Sequence, residues 1–178
     1  MRTLMIDTRQ QVGKHTIKDK YFESVGVPIV RSKLPVGDYG CMQNMSVVVD
    51  TKKDIQELVS DICGKQHERF RRELELAQDN GIKLYVIVEN RGGYVDKKQT
   101  IYNPAVKKLD DLHGWINPRL FLFRNGRQLY PTATRGITLQ KACHTMQEKY
   151  GVTFLFCTPE ESGKKILDIL GVNRDEES

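Results

Sequence analysis

The sequence predicts a single α/β domain in which helices flank a mixed central β-sheet. Short apolar runs typical of strands alternate along the chain with stretches of helical periodicity, which is the pattern of this class. Residues 82–88 (IKLYVIV) are almost continuously apolar, as expected for a central strand that is buried on both faces. A length of 178 residues suits one domain with a substantial core.

The N-terminal elements are predicted from hydrophobic spacing and from the residues that end them. An apolar strand that begins at Leu4 ends in charge, at Asp7 and Arg9. A helix is predicted over residues 16–25, and a second strand over residues 27–30. Asp7 and Arg9 could form a local salt bridge or take part in a site, and these residues alone leave both open.

A β-hairpin is predicted around a turn at residues 43–44, with its second strand over residues 46–52. Successive strand side chains point to opposite faces, so Asp50 and Lys52 share one face. If the hairpin closes, Asp38 lies beside Asp50, and two carboxylates come within reach of one metal ion and one ammonium group.

The elements after the hairpin are predicted in the same way. The apolar residues take helical spacing after Lys52, and glycines mark the helix ends. Thr158 is expected to cap the last helix, with Glu161 in the capping-box position. The remaining predicted elements are helices over residues 55–62, 65–79, 139–150 and 158–170 and strands over residues 82–88 and 152–157.

Residues 91–136 break this regularity and carry the excess positive charge. They hold nine basic residues against three acids, a net charge of +6, whereas the whole chain has +5. Interleaved basic and aromatic residues suit contact with a nucleic-acid backbone and with unstacked bases. In the alternative, the segment is a loop-rich edge whose Trp115, Leu120 and Phe121 fill the core, and for Trp115 the core is favoured.

The composition gives indications of the kind of binding partner and of the cellular location. A net charge of +5 and a sequence pI near 9.0 are compatible with a polyanionic partner. The four cysteines are dispersed, which argues against a zinc site or a disulfide framework. Without a signal peptide or a membrane-length apolar run, we expect a cytoplasmic protein that is nucleoid-associated or acts in a phage-infected host, with no membrane partner.

Asp38, Asp50 and Lys52 are the residue types that metal-dependent phosphodiester hydrolysis needs. Carboxylates and a backbone carbonyl supply the oxygen ligands that Mg²⁺ prefers. The metal lowers the pKa of a bound water and offsets charge on the phosphate. Lys52 can orient that water or stabilise that charge, an effect of roughly 3 kcal/mol for one well-placed group. The alternative is a solvated strand end with surface charges.

Three motifs together resemble the XPF-type nuclease domain of the PD-(D/E)xK superfamily. They are residues 6–9 (IDTR), 34–39 (LPVGDY) and 48–52 (VVDTK). The resemblance implies a restriction-endonuclease-like domain over residues 1–172, which includes the irregular segment 91–136. The polar end, residues 173–178, is expected to be a disordered tail. The resemblance also implies cleavage of flap, fork or branched DNA in repair, recombination or phage DNA metabolism, with Mg²⁺ or Mn²⁺ as cofactor.

The resemblance also implies roles for individual residues. Asp38 and Asp50 would bind the metal, Asp7 would assist, and Lys52 would act on the attacking water or the transition state. Arg9 would hold a phosphate, and a homodimer or heterodimer is expected from the family alone. The exposed face of the helix before Asn80 carries Lys65, Arg69 and Arg71, which could contact DNA. Helix faces that contact only solvent carry similar charges, so this alternative stays open.

This chain departs from the family pattern at four positions. Gln10 and Thr51 replace a glutamate and an arginine, Asp50 replaces a glutamate, and Gln56 stands at the last aspartate position unless Glu57 takes it. The tandem helix-hairpin-helix module of larger members is also absent from this sequence.

Three hypotheses follow from these residues. The first is a Mg²⁺-dependent DNA endonuclease. The second is a DNA-binding partner that keeps the fold but has lost catalysis, which the departures at Gln10, Thr51 and Gln56 support. The third is a basic adaptor that binds protein through residues 91–136.

Overall fold

A six-stranded mixed sheet forms the centre of the computed structural model, which describes residues 1–173. The strands of the described chain are β1 (Leu4–Asp7), β2 (Ile29–Ser32), β3 (Tyr39–Cys41), β4 (Asn44–Lys52), β5 (Lys83–Glu89), β6 (Gly93–Tyr94), β7 (Tyr102–Asn103), β8 (Phe123–Arg124), β9 (Arg127–Gln128) and β10 (Thr153–Cys157). The sheet has the spatial order β10–β5–β4–β3–β1–β2. The predicted mixed sheet is confirmed, and the predicted tail beyond residue 173 lies outside the described residues.

Helices cover both faces of the sheet. They are α1 (Thr16–Val25), α2 (Ile55–Cys63), α3 (His67–Asp79), α4 (Gly136–Tyr150) and α5 (Pro159–Leu170). One core joins Val48 to the apolar faces of α2, α3 and α4, and the other joins Val49 to α1 and α5. Val48 and Val49 thus follow the strand alternation that was predicted. None of the described helices is both long enough and apolar enough to cross a membrane.

Five of the six strands run in one direction, so their carboxyl ends meet at one edge of the sheet. β1 is parallel to β2, and β4, β5 and β10 are parallel to one another, whereas β3 is antiparallel to β1 and β4. Open α/β sheets commonly carry their ligand sites at this carboxyl edge. The start of β3 also lies there. The charged residues at this edge include Asp7, Asp38, Asp50, Lys52 and Glu89.

β3 and β4 form the predicted hairpin, with Tyr39 opposite Val49 and Gly40 opposite Val48. β4 begins at Asn44, slightly before the predicted start. Gly37, which precedes Asp38, has a φ of +73°, and a Cβ there would lie 2.4 Å from Val48 Cγ1. The glycine before the acid is therefore required both by backbone conformation and by close packing.

Element boundaries differ from the predictions where local contacts intervene. α1 has the predicted bounds. The strand predicted from residue 27 begins at Ile29, because the Val27 N–H still bonds to Phe22 O at the exit of α1, at 3.3 Å. The capping box expected at Thr158 does not form, since its Oγ1 donates to Glu161 Oε1 at 2.9 Å instead of accepting from the backbone.

Buried asparagines fix the path of residues 91–136, one at the junction with β5 and one within the segment. The Asn90 side chain accepts from Val106 N at 2.7 Å and donates to Val106 O at 2.8 Å. Asn103 bonds to Ile116 in the same way, at 2.9 and 2.7 Å. The segment contains only short strands and two 3₁₀ helices (Leu109–Gly114 and Pro118–Phe121), and these side-chain bonds take the place of regular pairing.

Trp115, Leu120 and Phe121 were considered from the sequence as core residues of segment 91–136, but other residues of this segment are the ones buried in the core. Val106 and Leu112 are its fully buried residues in the main core, and Trp115 packs against that core while remaining half-buried. Leu120 and Phe121 are only half-buried as well. The aromatic residues of this segment therefore lie nearer the surface than a purely structural role would require.

Gly136 is expected to be indispensable at the start of α4. A Cβ at Gly136 would lie 2.1 Å from Leu112 O and 2.4 Å from Trp115 O. We expect Gly136→Ala to lower the free energy of unfolding by about 1–3 kcal/mol, since backbone cannot move aside without strain. Chemical denaturation measures this, with Gly114→Ala as the control because a Cβ there meets nothing within 4 Å. Equal losses in both variants would contradict the packing argument.

Candidate active site

Asp38 is fixed at the sheet edge by backbone and side-chain hydrogen bonds. Its N–H donates to Val49 O, and its C=O accepts from the Asp7 N–H, both at 2.9 Å. Its carboxylate Oδ2 accepts from the N–H and the Oγ1–H of Thr51, at 2.9 and 2.8 Å. The strand that carries Asp50 therefore also anchors Asp38, and the predicted acid pair is brought together.

Asp50 is a buried carboxylate whose charge is only partly compensated. Its residue is 5% exposed, and its Oδ2 lies 2.7 Å from Lys52 Nζ. Burial raises the pKa of Asp50 to about 7, and the Asp38 carboxylate adds to this shift while Lys52 opposes it. An additional cation beside the two carboxylates would therefore be favourable.

Lys52 lies between two carboxylates. Its Nζ is 2.7 Å from Asp50 Oδ2 and 2.7 Å from Asp61 Oδ2, and it lies 5.1 Å from the centroid of the Phe70 ring. Burial opposes its charge, but the two acids hold the pKa of Lys52 above its ordinary value. The ammonium group is thus charged and held in place at the acid pair.

Asp61 was missed by sequence interpretation. It lies on α2 and is the second partner of the Lys52 ammonium. A signal was present, because Asp61 comes three residues after Leu58, on the face that the apolar spacing predicts to be buried. An acid on the buried face of a helix needs a cation, and Lys52 supplies it.

Glu73 on α3 was also missed. Its Oε1 accepts from the Gly37 N–H at 2.9 Å, so it fixes the loop that carries Asp38. Burial, followed by the charge of Asp50, raises the pKa of Glu73. Like Asp61, it lies on the apolar face of its helix, three residues after Phe70.

Asp7 is engaged by Arg9 and by the backbone. Its Oδ1 accepts from the N–H and Nε–H of Arg9 at 2.8 and 2.7 Å, and its Oδ2 accepts from Arg9 Nη2 at 3.0 Å and from Leu34 N at 2.7 Å. Burial opposes its ionisation, but these donors hold the pKa of Asp7 below its usual range. A metal ion would have to compete with these bonds, so the assisting role of Asp7 stays a prediction that the geometry disfavours.

A cleft of about 1050 Å³ opens over the acid pair. Arg9 and Arg69, both predicted to hold phosphates, line it. Further basic residues line the cleft, among them Lys14, Lys53 and Arg72. The cleft thus combines acids at its base with several basic side chains around them.

Arg71 and Lys65, also predicted to contact DNA, are not among the residues that line this cleft. Arg71 lies between Glu68 and Glu75 on α3, at 2.8 and 3.3 Å, and these neighbours offset its charge. A role for Arg71 and Lys65 in DNA binding stays a prediction.

The donor set suits one Mg²⁺ ion bound largely through water and substrate. Among residues 1–173, no three acidic, histidine or cysteine side chains come close enough to hold a metal by themselves. Mg²⁺ is commonly bound through one or two carboxylates, several waters and the phosphates of a substrate. Asp38 and Asp50 can supply two such carboxylates, and the raised pKa of Asp50 indicates that they would gain from a cation.

The fold and the acid–lysine cluster at the carboxyl edge of its sheet define an α/β domain of the nuclease type. The family model described as the ERCC4 domain matches residues 6–169. The chain therefore belongs to the ERCC4 domain family, and the resemblance to an XPF-type nuclease domain is confirmed. No curated protein matches the chain.

Solved structures of XPF from Aeropyrum pernix are similar to this chain. One covers 97% of this chain and 66% of its own, with 18% sequence identity and a TM-score of 0.58. Another, in complex with DNA, covers 100% of this chain and 70% of its own, with 17% identity and a TM-score of 0.60. At such identities the similarity establishes the fold. This chain spans about two thirds of the length of the first XPF chain.

The charge of Asp50 should destabilise the metal-free protein at neutral and basic pH. Its pKa of about 7 in the fold lies above the ordinary 3.8, so its contribution to stability is present at acid pH and is lost as pH rises towards 7. We expect Asp50→Asn to be more stable than wild type at pH 8, by up to about 4 kcal/mol, and equally stable near pH 4.

Denaturant unfolding in EDTA across this pH range measures the difference. Glu23→Gln, which removes an exposed carboxylate from α1, serves as the control and should show no such trend. If Asp50→Asn were less stable than wild type at pH 8, the uncompensated charge inferred for Asp50 would be wrong.

Proposed function

We propose that this chain is a metal-dependent DNA endonuclease that hydrolyses phosphodiester bonds at flap, fork or branched structures. The observation that carries the proposal is the set of Asp38, Asp50 and Lys52, which converge at the base of a basic cleft at the carboxyl edge of the sheet. Membership of the ERCC4 domain family supports the same reaction class.

The side chains divide the chemistry between them. Asp38 and Asp50 would hold Mg²⁺, for which Mn²⁺ could substitute, while Thr51 and Glu73 keep Asp38 and its loop in place. When bound, the ion would lower the pKa of a water molecule and offset charge on the phosphate. The Lys52 ammonium, fixed by Asp61, would orient the attacking water or stabilise the charge that develops on the phosphate.

DNA is the proposed partner. Arg9 and Arg69 line the cleft and would contact phosphates, and Lys53 and Arg72 add to the positive charge. One of the two similar XPF structures is a complex with DNA, which supports this choice of ligand. A homodimer or heterodimer, and a role in repair, recombination or phage DNA metabolism, are parts of the proposal that the family suggests. The cytoplasmic location is proposed from the sequence.

One departure from the family pattern has a structural role in this chain. Thr51 stands where an arginine is usual, and it donates two hydrogen bonds to Asp38. The position therefore supports the metal-binding acid instead of contacting phosphate. Glu57, which a one-residue shift would align with the last family aspartate, lines the cleft, and burial raises its pKa.

A second candidate function is a DNA-binding partner with the same fold and no catalysis. The observation that favours it is the absence of a third acidic ligand beside Asp38 and Asp50 within residues 1–173. Gln10, where the family has a glutamate, is consistent with such a loss.

Cleavage of labelled DNA distinguishes the two candidates. We expect wild type to cut flap and fork DNA in the presence of Mg²⁺ and to cut plain duplex more slowly. Asp50→Ala should abolish cutting because it removes a metal ligand, and Lys52→Met should lower kcat by roughly 10²–10³-fold. Lys164→Gln, which removes an exposed charge on α5 outside the cleft, is the control.

DNA binding in EDTA must be retained by each variant for these losses to report on catalysis. Equal cutting by wild type and Asp50→Ala would contradict the proposed site. DNA binding by wild type without cutting of any substrate would favour the inactive partner.

A further inference from the structure

The β8–β9 hairpin carries an exposed aromatic ring, Phe123, and two arginines, Arg124 and Arg127. Asn125 and Gly126 form its two-residue turn, with φ angles of 51° and 72°, both positive as in the tight turns that hairpins favour. Phe123, at the start of β8, is 57% exposed and belongs to neither hydrophobic core. An exposed ring of this kind offers a flat face on which an unpaired base can stack.

The two arginines of this hairpin face each other. Arg124 lies directly opposite Arg127 in the pairing of β8 with β9. Neither forms an ion pair with any residue in the described part of the chain. Like charges at paired positions destabilise a hairpin, and an anionic ligand would remove that cost.

The hairpin is connected rigidly to the proposed active site. The 3₁₀ helix Pro118–Phe121 immediately precedes it, and Arg119 of that helix lines the cleft that contains Asp50. The guanidinium of Arg119 also lies 5.2 Å from the centre of the Tyr130 ring, which follows the hairpin.

One hydrogen bond fastens the hairpin to this helix, and a second joins the residues just outside its two strands. Gln128 Nε2 donates to Leu120 O at 2.8 Å, and the Leu129 N–H donates to Leu122 O at 2.9 Å. The hairpin is thus bonded to the 3₁₀ helix whose Arg119 lines the cleft.

The charges in the sequence around the β8–β9 hairpin favour a polyanionic ligand. Residues 112–147 contain no aspartate or glutamate, and they contain five basic residues, Arg119, Arg124, Arg127, Arg135 and Lys141. A second copy of the same surface would bring like charges together, whereas a nucleic acid strand complements them. Because stacking needs an unpaired base, the ring and the charges together fit single-stranded nucleic acid better than closed duplex.

We propose that the β8–β9 hairpin, with Phe123 and its flanking arginines, binds the unpaired strand where it leaves a DNA duplex. Phe123 stacks on a base near the junction, and Arg124 and Arg127 contact the phosphates. This inference rests on the proposed function for its choice of DNA, and it assigns the preference for branched over plain duplex DNA to the hairpin.

Binding without metal tests this inference independently of cleavage. The probes are a labelled forked DNA and a labelled duplex of the same length, measured by anisotropy in EDTA. We expect Phe123→Ala to weaken fork binding roughly 5- to 100-fold and to leave duplex binding nearly unchanged. Phe123→Trp should retain the preference, because it keeps a stacking face.

A matched control and a spectroscopic signal sharpen the test. Met42→Ala removes an apolar side chain that is 58% exposed, at the β3–β4 turn on the opposite edge of the sheet, and should change neither affinity. With 2-aminopurine as the first unpaired base, wild type and Phe123→Trp should quench its fluorescence, and Phe123→Ala should not.

Three outcomes would overturn the inference. One is an equal loss of fork and duplex affinity in Phe123→Ala, and another is a wild type that shows no fork preference. The third is sedimentation of wild type as a dimer that Phe123→Ala dissociates while fork binding is unchanged, since a second copy would then occupy the surface. Failure of Mg²⁺-dependent cutting alone would instead count against the proposed function.

Discussion

The contact on which the site depends is the buried ammonium of Lys52, held between Asp50 and Asp61. Removing charges from water costs several kcal/mol per ion, and mutual attraction inside a protein often only offsets that cost. Such a cluster therefore adds little to the stability of the fold, and loss of Lys52 would leave two buried carboxylates without their cation. Its presence at the base of a basic cleft is better explained by chemistry, which needs a cation fixed beside a metal-binding acid.

The sheet supplies the rigidity that this chemistry needs. Asp38 and Asp50 belong to adjacent antiparallel segments, and Thr51 ties the first acid to the strand that carries the second. Two of the helices that cover one face add a support each, because α2 carries Asp61 and α3 carries Glu73. The hairpin at residues 123–128 is bonded to the 3₁₀ helix whose Arg119 lines this cleft. The proposed active site thus lies at the carboxyl edge of the sheet, and the hairpin proposed to recognise branched DNA is connected to it.

Local pattern predicted much of this architecture, and long-range contacts determined the rest. The alternation of Val48, Val49 and Asp50 between faces followed from strand geometry alone, whereas the close packing at Gly37 emerged only from the structure. The partner of Lys52 could not be deduced in the same way, because Asp61 reaches it only when α2 packs on the sheet. The buried asparagines that pin residues 91–136 are likewise invisible to periodicity, since each satisfies backbone groups more than ten residues away.

The central claim, that Asp38 and Asp50 form one metal site beside Lys52, is tested most directly by anomalous diffraction from crystals containing Mn²⁺. We predict a single strong peak bonded to one carboxylate oxygen of each acid, with Lys52 still paired to Asp61. The peak should disappear in Asp38→Asn crystals prepared in the same way. An ion bound elsewhere, or no ion at saturating Mn²⁺ while Asp50 remains paired with Lys52, would contradict the account.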